Sequence, residues 1–316
     1  MNIALVDLNW RRNLPLTFSK STAHLLVGID TLEEKWVRLA GASTSFVLPG
    51  YLNARYEQSE NAEYLVNASV IPTKNLVEAI HSLSENEVLT YRGKFIAAIN
   101  SGQMPSSINT EIESGNNISF TLFGREEKYF NEELLFIEKP SDIFSRNGEV
   151  LKTDFEEITH GIHSTAFPDG VLTSGTDIYV SSSAKLNHCV LNATNGPIYI
   201  GDDVEIMEGS LIRGPFAIRS HSTLKMGAKI YGPTSIGKHC KVGGEVNNSV
   251  INNFSNKGHD GFLGNSVVGS WCNLGADTNT SNLKNNYGHV SVWDYQKDAL
   301  AETGKQFHGA ILGDHV

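Results

Sequence analysis

The sequence contains few cysteines, and this scarcity excludes two kinds of site. Only Cys189, Cys240 and Cys272 occur among its 316 residues. Their number is odd, and no two are separated by just two residues. We therefore expect neither a disulfide framework nor a cysteine zinc site.

Positive charge and long apolar runs are also scarce. The 25 basic and 35 acidic residues give a net charge of −10, whereas nucleic-acid and anionic membrane surfaces attract a basic face. No run approaches the roughly 18 apolar residues of a membrane span. The N-terminal segment carries Asp7, Arg11 and Arg12 and so lacks the apolar centre of a signal peptide. The sequence predicts a soluble cytoplasmic protein that binds neither nucleic acid nor membrane.

The length suggests about two domains. Strand and helix signals alternate at the beginning, which predicts an α/β domain over 1–140, with a helix at 31–40 that starts at Asp30 as its cap and has Glu33 in its first turn. A connecting helix and a linker are predicted over 141–176. Residues 177–316 form a second domain of different character, and its pattern is a repeat.

Residues 198–246 repeat with a period of six. Branched aliphatic side chains occupy eight successive positions of this repeat, namely Ile200, Ile206, Ile212, Ile218, Leu224, Ile230, Ile236 and Val242. This period fits neither a helix nor an alternating strand, but it fits short strands separated by corners, three to a coil. Residues 18 apart then stack, which predicts an aliphatic column of Ile200, Ile218 and Ile236 inside a prism.

This pattern resembles the left-handed parallel β-helix of hexapeptide-repeat acyltransferases. The resemblance implies the left hand of the coil, which the period alone does not determine. It also implies a homotrimer whose ligands lie in clefts between neighbouring subunits.

The repeat is interrupted by the polar stretch 252–261, which contains His259. Stacked aliphatic side chains fill the interior of such a prism, so chemistry must take place on loops outside it. Histidine titrates near neutral pH and can remove a proton from an amine that attacks a thioester. The alternative is an ordinary exposed loop histidine.

The stretch NKGHDGFLGNSVVGSWCNLGADTNTSN, residues 256–282, is similar to the acetyltransferase half of the bifunctional glucosamine-1-phosphate acetyltransferase and N-acetylglucosamine-1-phosphate uridyltransferase family. The resemblance implies five roles: His259 as general base, Asn273 on the sugar, Ala276 and Asn282 along acetyl-CoA, and Lys225 in place of a phosphate-binding arginine. A tyrosine that contacts the sugar in that family is Phe262 here. The resemblance therefore implies an altered acceptor site.

The first domain resembles a sugar-1-phosphate nucleotidyltransferase in the segment VDLNWRRNLPLTFSK, residues 6–20. This resemblance implies nucleotide binding by Arg11 and Arg12. The phosphate-binding glycines of that family are absent, and Gly93-Lys94 stands where a Gly-Asp pair would bind Mg²⁺. We expect a degenerate domain, with Mg²⁺ needed only if nucleotidyl transfer is retained.

Together these features predict a transferase of sugar-nucleotide metabolism that uses acetyl-CoA to N-acetylate an amino-sugar 1-phosphate. One alternative is a sugar-1-phosphate nucleotidyltransferase that uses the β-helix for assembly. Another is a non-catalytic sensor or scaffold that binds a sugar nucleotide.

Two smaller features add to these predictions. His221 and His239 lie 18 residues apart and should stack at one corner. Zinc enzymes on the same prism use stacked histidines, but they need a third ligand whose pattern is missing, so we expect an exposed ladder and no metal. The segment GAILGDHV, residues 309–316, restarts a hexad and stops inside it, and we expect the natural chain to continue.

Overall fold

A computed structural model describes residues 1–56, 61–102, 106–115, 120–162 and 167–316. The predicted linker at 160–170 therefore lies partly outside the described residues. The chain divides into two compact units, one of Met1–Leu25 with Asp30–Lys139 and one of Leu26–Ile29 with Pro140–Val316. None of the described helices is both long enough and apolar enough to span a membrane.

The first part of the chain alternates strands with helices. In chain order its elements are β1 Asn2–Val6, a 3₁₀ helix Thr22–His24, β2 Leu26–Val27, β3 Asp30–Thr31, α1 Leu32–Ala40, β4 Ser43–Val47, a 3₁₀ helix Gly50–Arg55, β5 Tyr64–Asn67, α2 Lys74–His81, β6 Glu87–Tyr91, β7 Lys94–Ile99, α3 Ser106–Ser114, a 3₁₀ helix Phe120–Phe123 and β8 Glu126–Tyr129.

Six of these strands form one mixed sheet in the order β4-β1-β5-β7-β6-β8. Strands β4, β1 and β5 are parallel, whereas β7 runs antiparallel to both β5 and β6. The central strand β1 is buried from Ile3 to Val6, which fits a strand that is covered on both faces. The carboxyl ends of β1, β4 and β5 therefore meet at one edge of the sheet.

The predicted helix at 31–40 is present, but its start is one residue later than expected. Thr31, not Asp30, is the N-cap, and Glu34 completes a capping box with it. Thr31 has extended backbone and can accept the bond from the Glu34 amide, while the Asp30 carboxylate pairs with Arg38. The prediction of Asp30 as the N-cap was wrong, because its carboxylate forms an ion pair with Arg38 and the Thr31 hydroxyl accepts the bond from the helix amide.

The second part of the chain consists of one long helix and many short strands. In chain order these are α4 Pro140–Thr159, β9 Leu172–Ser174, β10 Ile178–Val180, β11 Lys185–Leu186, β12 Val190–Asn192, β13 Ile198–Ile200, β14 Glu205–Ile206, β15 Leu211–Arg213, β16 Phe216–Ile218, β17 Thr223–Leu224, β18 Lys229–Tyr231, β19 Thr234–Ile236, β20 Lys241–Val242, β21 Glu245–Asn247, β22 Val250–Ile251, β23 Asn256–Lys257, β24 Phe262–Gly264, β25 Val267–Val268, β26 Ser291–Asp294, β27 Ala299–Glu302 and β28 Ile311–Leu312.

The short strands build a prism of three parallel sheets, which confirms the predicted left-handed β-helix. Ile200 pairs with Ile218 and Ile218 with Ile236, as the 18-residue stacking requires. Ile206, Leu224 and Val242 form a second column in the same way. The side chains of both columns are fully buried and form part of one continuous apolar core.

Helix α4 covers one face of the prism within the second unit. Leu151 packs with Ala217 of β16, and Asn147 accepts a hydrogen bond of 3.0 Å from the hydroxyl of Ser235 in β19. The same Asn147 oxygen accepts the Gly28 amide at 2.8 Å. Of the three faces of the prism, this one is therefore covered by the chain's own helix.

The coils are less regular outside residues 198–246. Ile178 pairs with Ile198, so this coil is two residues longer than the regular repeat. Lys241 pairs with Asn256, so the later coil is three residues shorter. The predicted interruption at 252–261 is present only in part, because Asn256–Lys257 stays in the ladder as β23 and residues 258–261 bend away.

A longer excursion lies near the end of the chain. It leaves after Asn282 and returns at His308, whose amide donates to the Asn282 carbonyl at 2.8 Å. Within it, β26 and β27 form an antiparallel hairpin with exposed Trp293 and Leu300 side chains. The prism then resumes, because β28 pairs in parallel with β25.

Candidate functional sites

One corner of the prism brings two of the predicted residues together. We call it the lysine–histidine corner, made of residues 225–227, 243–244 and 258–261, which follow β17, β20 and β23 on three successive coils. The Gly243 amide donates to the Lys257 carbonyl at 2.7 Å, and a Cβ at Gly243 would lie 3.1 Å from Cβ of Lys225. Because neighbouring strands are about 4.8 Å apart, Lys225 and His259 are separated along the axis by about 10 Å.

His259 lies in the bend between β23 and β24, and its side chain is exposed. Its carbonyl oxygen accepts a hydrogen bond of 2.8 Å from Nζ of Lys257. The imidazole is therefore open to a ligand, while the backbone that carries it is held by a buried side chain.

The segment predicted to line acetyl-CoA runs beside β24. The Phe262 amide donates to Oδ1 of Asn279 at 2.8 Å, and the Thr280 amide donates to the Phe262 carbonyl at the same distance. Asn282 is half-buried, and its Nδ2 donates to Oδ1 of Asn265 at 2.6 Å. Asn282 is thus fixed one coil beyond the bend that carries His259.

Asn273 and Ala276 lie on that same further coil. Asn273 forms a parallel bridge with Asn256, which directly precedes Lys257. The Leu274 amide donates to the Asn256 carbonyl at 2.9 Å, and the exposed Ala276 follows at the continuation of the lysine–histidine corner. Lys225, His259 and Ala276 therefore share one edge of the prism, with Asn273 and Asn282 on the two adjoining faces.

Sequence reasoning missed two residues of this region, Lys257 and Asn265. Asn265 has a left-handed backbone with φ of 48° and fixes the Asn282 amide. Lys257 occupies an interior position of the repeat, where every neighbour in the column is aliphatic. The repeat gave no signal for Lys257, because counting by six from Val242 reaches Asn248 and Phe254, and only the shortened coil brings Lys257 opposite Val242.

In the first unit, a loop of successive turns follows β1 at the carboxyl edge of the sheet. It is anchored by Asp7, Asn9 and Asn13, all of them buried. Oδ2 of Asp7 accepts the Thr22 amide at 2.7 Å and the Ser21 hydroxyl at 3.0 Å. Burial raises the pKa of Asp7 above its ordinary value, although these hydrogen bonds oppose the shift.

Arg11 and Arg12 both lie in this loop. Arg11 is exposed, and its guanidinium carbon is 5.2 Å from the centre of the Trp10 ring, whereas Arg12 is half-buried. The Trp10 and Tyr51 rings are 5.4 Å apart, so an aromatic pair adjoins the cation. Burial and the Asp7 charge raise the pKa of Tyr51 to about 12.

The loop also presents oxygen atoms that have no protein partner. Within the described residues, Oδ1 of Asp7, Asn9 and Asn13 accept no hydrogen bond although all three are buried. Buried acceptors normally find a donor, so these atoms can receive hydrogen bonds from a ligand or from water. Sequence reasoning missed them because Asn and Asp are also ordinary turn residues.

Comparison with known proteins identifies a family for this chain. Residues 3–163, just over half of the chain, match the sequence model of a family described as sugar nucleotidyl transferase. The chain belongs to this family. It is thereby placed among transferases, as the sequence predicted.

Three relatives are similar to this chain, and each is named bifunctional protein GlmU; the first match covers 87% of the chain and so extends beyond residues 3–163. The protein from Wolbachia pipientis is 22% identical over 296 residues, which are 87% of this chain and 60% of the relative. The protein from Clostridium beijerinckii is 25% identical over 161 residues, 50% of this chain and 30% of the relative. The protein from Synechococcus elongatus is 27% identical over 135 residues, 39% of this chain and 29% of the relative. The chain thus spans about 60% or less of these curated relatives.

The residues of this chain do not fit Mg²⁺ at the position that the resemblance to sugar-1-phosphate nucleotidyltransferases implies. At Gly93-Lys94 the Lys94 ammonium pairs with Glu138 at 2.7 Å, so a cation occupies the place of the expected carboxylate. Across the described ranges, no group of three His, Cys, Asp or Glu side chains could hold a metal ion. No reaction step through Mg²⁺ is derived for this chain.

Proposed function

We propose that the prism transfers an acetyl group from acetyl-CoA to the amine of an amino-sugar 1-phosphate. The observation that carries the proposal is the shared edge of Lys225, His259 and Ala276, with Asn273 and Asn282 on the adjoining faces. A base, a cation and a surface for the donor are therefore grouped at one place outside a filled core.

Each residue has a separate task in this proposal. When bound along Ala276 and Asn282, acetyl-CoA supplies the thioester. The amine nitrogen of the sugar attacks the acetyl carbon, and His259 accepts the proton that this nitrogen loses. The carbon–sulfur bond then breaks, and the leaving sulfur takes up a proton. Lys225 holds the phosphate as a point charge, without the paired hydrogen bonds of an arginine. Asn273 orients the sugar.

The proposal includes a homotrimer in which the donor cleft is completed by a neighbouring subunit. The face made of β9, β12, β15 and β18 supports this, because it exposes Leu172, Leu211 and Tyr231. Exposed apolar side chains in a row favour contact with a partner surface. The face under α4 has its apolar residues already covered.

A second candidate is sugar-nucleotide formation by the first unit, with the prism serving assembly. The family match over residues 3–163 favours it. Arg11 and Arg12 would bind the nucleotide phosphates, next to Trp10 and Tyr51. The loop contains no glycine, so its backbone approaches phosphate less closely than a glycine-rich loop would. We therefore propose a degenerate domain.

Free-thiol release from acetyl-CoA in the presence of glucosamine 1-phosphate tests the first proposal. We expect His259→Ala to lower kcat by about 10²- to 10⁴-fold, the usual contribution of a general base. His221→Ala is the matched control, because His221 is also an exposed corner histidine. Equal activity of both variants would contradict the base role.

The alternatives give different results with the same wild-type protein. Pyrophosphate exchange with UTP but no thiol release would favour the second candidate. Binding of a sugar nucleotide without turnover in either assay would favour a non-catalytic sensor.

A further inference from the structure

The side chain of a lysine lies in an aliphatic column inside the prism. The column consists of Leu186, Ile206, Leu224 and Val242, each paired with the next coil, and Lys257 pairs with Val242 as its following member. Lys257 is only 2% exposed. A buried ammonium without partners is strongly unfavourable, so its hydrogen bonds decide whether it is tolerated.

Nζ of Lys257 is satisfied by two backbone oxygens at the lysine–histidine corner. It donates to the Gly243 carbonyl at 3.0 Å and to the His259 carbonyl at 2.8 Å. Burial lowers the pKa of Lys257, and the charge of Asp260 opposes that shift. The side chain thus runs from the core to the corner and links two successive coils.

The corner is shaped to admit this amine. Gly244 has φ of 70°, and a Cβ at this position would lie 2.9 Å from Nζ of Lys257 and 2.9 Å from the His259 oxygen. A side chain there would be strained by its backbone conformation and would crowd both atoms. Glycine therefore leaves the amine a route to the bend.

His259 depends on this contact. Within the described residues, its hydrogen bond from Lys257 is the one hydrogen bond that His259 makes. Among the described residues, the bend at 258–261 makes one other hydrogen bond to the prism, which the Glu245 amide donates to the Gly261 carbonyl at 3.2 Å. Loss of the Lys257 amine would free the backbone of His259 while leaving the rest of the coil paired.

We propose that Lys257 is a positioning residue that holds the backbone of His259 from inside the prism. This inference rests on the proposed acetyl transfer for its catalytic consequence, but not for the structural link. Lys257 acts through His259 and does not itself contact the reacting atoms. A small displacement of a base costs up to about 100-fold in rate.

Lys257→Met tests this role, because methionine fills similar space without a donor. We expect kcat for thiol release to fall about 10- to 100-fold, with KM for acetyl-CoA changed less than about twofold, since the donor surface is untouched. Ile206→Ala is the control, because it loosens the same column two coils before Val242. It should lower thermal stability and leave kcat unchanged.

Amide hydrogen exchange at Gly243 and Glu245, whose amides donate to the Lys257 and Gly261 carbonyls on either side of the bend, provides a readout that does not need activity. Exchange should accelerate in Lys257→Met and remain unchanged in Ile206→Ala. If Lys257→Met does not fold, Lys257→Arg, which keeps donors in the column, should show a smaller loss of kcat and a smaller acceleration of exchange. Unchanged exchange and unchanged kcat would overturn the inference. Faster exchange in a protein whose wild type releases no thiol would support the link and refute the proposed acetyl transfer.

Discussion

The strongest test of the prism is removal of one side chain from its central column. Ile218 is fully buried between Ile200 and Ile236 on the coils to either side. Ile218→Ala deletes three carbon groups, each worth about 0.8 kcal/mol of burial, or about 2.4 kcal/mol in all. The residual cavity adds to this, because neighbouring coils are hydrogen-bonded and cannot close in, so we expect a loss of about 3–4 kcal/mol.

Ile218→Val and Lys241→Ala calibrate this value. Valine removes one carbon group and should cost about 1 kcal/mol. The side chain of Lys241 in β20 is exposed, so Lys241→Ala should change stability by less than about 0.5 kcal/mol.

Guanidinium denaturation, monitored by hydrogen exchange of peptides from the prism, gives the change in stability of each of the three variants. Unfolding of the first unit does not contribute to this signal. Because each coil contacts only its neighbours, the loss should be largest in β13, β16 and β19. If Ile218→Ala cost no more than Lys241→Ala, the stacked interior that underlies the whole assignment would be refuted.

Two further predictions concern the first unit. Because the pKa of Asp7 is raised in the folded state, folded protein keeps a proton that the unfolded chain has lost, and stability falls as pH rises above the ordinary aspartate value. Asp7→Asn should therefore gain Tm relative to wild type between pH 4 and pH 7, and parallel Tm curves would contradict this assignment. Thr31→Ala removes the acceptor for the Glu34 amide and should cost about 1 kcal/mol, as measured by denaturation of the full chain. An equal loss in Thr31→Ser, which keeps the hydroxyl, would argue against the capping box.

Much of the prism could be predicted because its rule is local. A branched aliphatic residue at every sixth position specifies which side chains enter the core, and the pairing of Ile200, Ile218 and Ile236 follows directly. The irregular coils could not be predicted in the same way. Residue count alone does not show where a coil changes length, and here the corners after Val242 and after Asn247 are shortened, before the polar stretch begins.

The candidate site was also predictable only where a local pattern marks the residues. His259, Asn273, Ala276 and Asn282 were selected by local resemblance, and the structure adds their places on one edge and its two adjoining faces. The contribution of Lys257 depends on its burial in the column and on hydrogen bonds to the Gly243 carbonyl of the preceding coil and to the nearby His259 carbonyl, which no local pattern contains. Similarly, the buried oxygens of Asp7, Asn9 and Asn13 are recognised only once the turns of their loop are known.

The sequence by itself determined the two kinds of architecture and the position of the unusual histidine, because side-chain periodicity reflects which residues are buried. Only the tertiary structure decided which corner the histidine shares with Lys225 and which buried amine holds its backbone. The physical reason is that stacking of coils brings together residues that are 15 to 18 positions apart, through hydrogen bonds that depend on the local length of each coil.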